Sequence, residues 1–169
     1  GDAVVYKGPA HRMSEDEEAM RVARGDAYAW RLSMRYSQDL LGEDFARLVF
    51  VERDERSNTE HAVAAHPDSL GDVILARKDT PTSYHLSVVH DDALQGVTHV
   101  VRGLDLYHAT SIHRLLQALL GLPVPVWHHH ALLVEADGRK LAKRRGSPAL
   151  ADLRRAGQDG RTLGQALRQ

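Results

Sequence analysis

The stretch TSIHRLLQALLGLP, residues 110–123, decides the fold. Ile112, Leu115, Leu116, Leu119 and Leu120 recur at the three- and four-residue spacing of a helix with one apolar face. Gly121 followed by Pro123 marks its end, since glycine accepts the left-handed turn that closes a helix and proline cannot extend one. Thr110 or Ser111 is placed to cap its start. Residues 97–101, short and β-branched, read as a strand on one side of this helix, and residues 126–134 as a strand on the other. With further strands and helices interleaved, the fold class is α/β.

Toward the amino terminus, Leu86, Val89, Ala93 and Leu94 suit a helix over 84–94, while Leu86 and Val88 also suit a strand, and the helix is preferred; Val73-Ile74-Leu75 reads as a short buried strand. Residues 53–68 are polar and read as a loop, and 45–51 as a strand. Tyr28, Trp30, Leu32 and Met34 alternate, which predicts four large side chains on one face of a strand. Ser14 with Glu17 forms a capping-box pattern and Gly25 a stop, framing a helix over 15–24. Toward the carboxyl terminus, Asp137-Gly138 signals a turn and 150–156 a last short helix. No segment repeats.

Composition narrows the class. The chain has 169 residues, 43% of them hydrophobic, enough to build a core. No apolar run approaches membrane-spanning length, and no secretory signal opens the chain. Cysteine is absent, which excludes disulfides and thiolate metal sites and is compatible with a reducing cytoplasm. Gly1-Asp2, without a methionine, reads as the start of a fragment or a processed chain. A net charge of −1 supplies no global field for nucleic acid. Cations gather locally from Arg139 to Arg145, and again at Arg154-Arg155.

Within that basic stretch, Lys140 and Lys143 lie between Gly138 and Gly146. Two ammonium groups on a glycine-bounded loop suit closure over a polyphosphate. Taken alone, the stretch reads better as a solvated basic turn. Upstream stand TPTSYHL (80–86), VVHDD (88–92) and GVTHVVRGLDL (96–106), led in by Arg77-Lys78-Asp79. Tyr84 offers a phenol donor and a ring wall. Arg102 offers a planar fork suited to carboxylate. Without further context, these two read as a core tyrosine and a surface ion pair with Asp105.

In this order the motifs resemble the glutamate-specific branch of the class I aminoacyl-tRNA synthetases, and within it the glutamyl-Q tRNA(Asp) synthetase family. The resemblance is densest over residues 71–146 and followable over 5–70. It implies the C-terminal part of a Rossmann-type catalytic domain. Residues 1–70 would be a connective subdomain, the remnant of a zinc-site region, and 71–169 the second half of the catalytic domain with a KMSKS-like loop. The implied activity is formation of glutamyl-adenylate from glutamate and ATP, then transfer of glutamate to queuosine in the anticodon loop of tRNA(Asp). By position, Tyr84 and Arg102 would bind glutamate. Lys140 and Lys143 would be the catalytic lysines, with Lys143 on the ATP phosphates. Leu141-Ala142 replaces the commoner Leu-Ser pair. Mg2+ would accompany ATP, the protein would be a cytoplasmic monomer, and its partners would be glutamate, ATP and tRNA(Asp).

Two departures matter. The family's opening nucleotide-binding strand and HIGH-like motif are absent, so the fragment is expected to be inactive unless that half is supplied. Family members that hold zinc use three cysteines and a tyrosine; Tyr6 matches the tyrosine, but Ala10 stands at the last cysteine position, so no zinc is expected. Asp91 and Asp92 are read as solvated or structural, not as magnesium ligands. His128, His129 and His130 alternate faces on a strand and do not converge on a metal; the resemblance places them near the nucleotide pocket. His11, His61 and His66 carry no argument. The alternatives are a fragment of an ordinary glutamyl-tRNA synthetase, or a non-catalytic paralogue that binds tRNA or a partner protein.

Overall fold

The helix expected around residues 110–121 spans Ala109–Leu120 (α5) in the computed structural model, which describes residues 5–9, 13–54, 57–134, 138–141, 146 and 149–166. Its apolar stripe is buried: Ile112, Leu115 and Leu116 are 0 to 2% exposed. Gly121 closes it at φ 63°, where any side chain would be strained, and the Leu122 N–H donates to the Gln117 carbonyl at 2.9 Å. Its start corrects the sequence reading. Neither Thr110 nor Ser111 caps the helix; His108 occupies the cap position without a side-chain bond. Thr110 is buried, and the Ser111 hydroxyl instead accepts from the His66 N–H at 3.1 Å.

The helix connects two parallel strands, His99–Gly103 (β5) and Val126–His130 (β6), registered from His99 opposite Val126 to Gly103 opposite His130. On its other side β6 pairs in parallel with Val49–Arg53 (β2), which pairs antiparallel with Glu60–Ala64 (β3). The sheet order is β3-β2-β6-β5, so the α/β class holds, with a parallel centre. Phe50, Trp127 and Val100 meet Leu115 and Leu116 in the core, and the Phe50 and Trp127 rings pack edge to face at 5.6 Å.

Three boundaries differ from expectation. Phe45 belongs to a short helix, Glu43–Ala46 (α3), and the strand expected over 45–51 begins only at Val49. The polar stretch 53–68 holds β3 and a 3-10 turn, Pro67–Leu70. It escaped notice because β3 is an edge strand with mostly exposed residues, which leaves no apolar alternation to read. The strand expected to reach residue 134 stops at His130.

The helix expected over 15–24 forms as Glu15–Ala23 (α1), with the Ser14 hydroxyl accepting from the Glu17 N–H at 3.2 Å. The alternation from Tyr28 to Met34 does not run through one strand. Ala29–Leu32 (β1) pairs antiparallel with Val73–Arg77 (β4), and Ser33 then caps Met34–Leu41 (α2). Both strands of this pair lie partly open: Trp30 is 46% exposed, and Val73 to Leu75 are half-buried. Asp72 fastens the neighbourhood. Its carboxylate accepts from the Met34 N–H at 2.8 Å, and its own N–H donates to the Tyr6 carbonyl at 2.7 Å. The Arg31 guanidinium lies 4.2 Å over the Tyr6 ring. Ala10 falls outside the described residues.

Tyr84–Gln95 (α4) forms as expected, capped by Ser83, and packs beside α5 with Val89 buried. The chain divides into two units, Gly1–His130 and Ala131–Gln169. In the second, Val134 bridges Lys140, and the Leu141 N–H donates to the Leu133 carbonyl at 2.9 Å. Leu150–Arg155 (α6) matches its expectation, whereas Gly160–Ala166 (α7) was not anticipated.

Candidate active site

Glu52, Arg102 and His129 are each the fourth residue of a parallel strand, β2, β5 and β6 respectively. Side chains alternate along a strand, so these three share the face that carries Phe50, Val100 and Trp127 two residues earlier. Each strand is therefore apolar at its middle and polar at its carboxyl end on one and the same face. Open α/β sheets bind ligands outside the carboxyl ends of their strands. The first two turns of α5 add Thr110 and His113, and the first turn of α4 adds Tyr84 and His85.

Arg102 is the hub. Its Nε–H donates to His129 Nε2 at 3.1 Å, and Nη1 to His113 Nδ1 at 3.0 Å. Nη2 donates to the Leu106 carbonyl at 3.2 Å and to the Thr110 hydroxyl at 2.6 Å. Four of the five guanidinium N–H groups are thus held by these acceptors, and Tyr84 makes a further side-chain hydrogen bond to the guanidinium. Burial lowers the Arg102 pKa; Tyr84 opposes this through charge and a side-chain hydrogen bond, and Asp92 and Glu52 oppose it through charge. His85 Nδ1 stands 3.1 Å from His113 Nε2, and the two rings meet Tyr84 edge-on at 5.7 and 5.8 Å.

The cation fixes the protonation of its neighbours. A guanidinium can only donate, so His129 Nε2 and His113 Nδ1 are bare acceptors. The proton of His129 is then on Nδ1, donated to Glu52 Oε2 at 2.8 Å, while the His129 backbone N–H donates to Glu52 Oε1 at 2.8 Å. Thr110, accepting from Arg102, turns its own proton to His129 Nε2 at 3.1 Å. His113 carries its proton on Nε2 and donates to His85. Burial, reinforced by Arg102, drives the His113 pKa down to about 3. The same two causes lower His85. Burial also lowers His129, against the opposing pull of Glu52.

Residues 2–163 match the family described as tRNA synthetases class I (E and Q), catalytic domain. The chain belongs to that family. Among curated relatives, a glutamyl-Q tRNA(Asp) synthetase of Rhodobacter capsulatus is 61% identical over 89 residues, covering 53% of this chain and 32% of that protein. One from Nocardia farcinica is 38% identical over 158 residues, covering 94% and 45%. The chain therefore spans less than half the length of these relatives. A solved glutamate tRNA ligase from Elizabethkingia meningosepticum, in complex with its amino acid, covers 80% of this chain and 31% of its own at 24% identity and a TM-score of 0.46.

The residues singled out from the sequence of this class I synthetase domain are placed unequally. Tyr84 and Arg102 come together, Tyr84 opening α4 with half its surface exposed. Lys140 belongs to the second unit, in the bridge to Val134, and Lys143 lies outside the described residues. Burial raises the Asp92 pKa, opposed by Arg102. Of the three histidines, His129 alone joins Arg102; the His128 ring donates to the Arg53 carbonyl at 2.9 Å. Among the described residues, no three His, Cys, Asp or Glu side chains gather as a metal site.

Sequence reasoning missed Glu52, Thr110, His113 and the special role of His129. A signal existed for two of them. Glu52 follows Phe50 by two residues, a charge on the apolar face of a strand. His113 occurs inside the buried stripe of α5, three residues before Leu116.

Proposed function

We propose that this chain supplies the C-terminal part of a glutamate-activating synthetase domain, of the kind that serves tRNA(Asp). In that reaction an oxygen of the glutamate α-carboxylate bonds to the α-phosphorus of ATP and pyrophosphate leaves; the glutamyl group then passes to queuosine in the anticodon loop, with AMP as the leaving group. The observation that carries the reading is a desolvated, permanently charged Arg102 at the carboxyl ends of three strands, with Tyr84 beside it, in a chain of this family.

The chemistry favours a carboxylate ligand. Arg102 presents its charge, which a low-dielectric surround strengthens. The Tyr84 hydroxyl, accepting from Arg102, keeps its own proton to donate to the ligand. The bond to glutamate would then be shared between phenol and guanidinium, with the cation as the main attraction. Lys140 and Lys143 would meet the ATP phosphates, and Mg2+ would enter with ATP.

Glutamate-dependent ATP–pyrophosphate exchange tests this, with the chain joined to an amino-terminal half of the family's catalytic domain. The chain alone is expected to show no exchange. In the joined protein, Arg102→Ala should raise the apparent KM for glutamate at least a hundredfold, and Lys143→Ala should depress turnover. An unchanged glutamate KM in Arg102→Ala refutes the pocket.

A further inference from the structure

We propose that Glu52 is a positioning residue: by fixing the tautomer of His129, it fixes the place and angle of Arg102. The ligand role of Arg102 rests on the function proposed above, but the positioning itself stands on geometry. Glu52 is buried at the carboxyl end of β2, and its hydrogen bonds run to His129. Its two oxygens take two different protons from one residue, the His129 backbone N–H and the Nδ1–H, each at 2.8 Å. That double acceptance requires a carboxylate. An amide offers one oxygen and one NH2 group, so it cannot accept the two protons on two separate oxygens.

The consequence propagates through the ring. With the proton held on Nδ1, Nε2 is an acceptor and takes the Arg102 Nε–H. With the proton moved to Nε2, that nitrogen would face the guanidinium donor-to-donor in a buried setting, and one of the two groups would have to move. His129 therefore works as a one-way transmitter from a carboxylate on β2 to a cation on β5. The other neighbours of the guanidinium do not substitute. His113, Thr110 and the Leu106 carbonyl engage Nη1 and Nη2, and leave the Nε edge to His129 alone among the described residues. Fixing that edge, together with the Nη contacts, leaves the guanidinium plane no freedom to rotate.

The test uses 15N-labelled chain and the variant Glu52→Gln. Long-range imidazole 1H–15N spectra should show His129 as the Nδ1–H form in the wild type and the Nε2–H form in E52Q. The Arg102 Nε–H should exchange with solvent at least tenfold faster in E52Q. In the joined protein, E52Q should raise the glutamate KM about tenfold and leave the KM for ATP unchanged. A wild-type His129 found charged, or protonated on Nε2, overturns the proposal, and this measurement needs no variant to fold. So does an E52Q protein that keeps both the wild-type tautomer and the slow Arg102 exchange. Should the wild type take up no glutamate in any form, the functional reading fails, while the tautomer spectra still decide the role of Glu52.

Discussion

Thr110 shows how much one side chain can carry. It is fully buried, and its hydroxyl receives an Arg102 proton while donating its own to His129. Thr110→Val keeps the shape and removes the acceptor, leaving a guanidinium N–H buried without a partner. The expected loss is about 1–3 kcal/mol in urea unfolding, with Thr110→Ser recovering most of it. The sequence showed the right residue in the wrong role. A threonine before an apolar run signals a helix cap by local rules, and nothing local reveals that Arg102, eight residues upstream, claims its oxygen first. Tyr84 and Arg102 were legible only through the motif order. Glu52 was not, because its meaning depends on a strand 77 residues away in sequence.

At the scale of elements, strong periodicity was read correctly and weak periodicity was not. The helix α5 carries a long apolar stripe and a clear stop, whereas α4, which reads as helix or strand, buries only Val89. In contrast β3 faces solvent along most of its length, α3 spans only four residues, and α2 buries Met34 and Ser37 at its very start, where the strand pattern was read. The alternation from Tyr28 to Met34 misled because the Ser33 cap bends the chain into a helix before the pattern ends. α5 is doubly committed, since Leu115 and Leu116 fill the core while Thr110 and His113 grip Arg102 one turn earlier. Leu116→Ala should cost about 2–5 kcal/mol by the loss of buried methyl groups and the cavity left behind. The Arg102 Nε–H should lose exchange protection in the same variant, in step with global unfolding.

For the whole molecule, the site makes stability depend on acidity. His113 titrates near 3 in the folded chain and near 6.5 when unfolded, so between those values the unfolded state binds more protons. Its contribution is complete above about pH 6.5 and is lost as pH falls toward 3, at no more than about 1.4 kcal/mol per pH unit. His85 and His129 are displaced in the same direction. Urea midpoints should fall between pH 7.5 and 5, and His113→Asn, whose amide oxygen can still meet Arg102, should flatten the slope. An unaltered slope in that variant would assign the acid sensitivity elsewhere.

The neutral rings around Arg102 have one more consequence. Because His113 stays uncharged until solution is strongly acidic, drift around neutrality does not switch a second positive charge on beside the guanidinium. An anion arriving there meets a constant electrical target, and discrimination between anions is left to length, angle and fit.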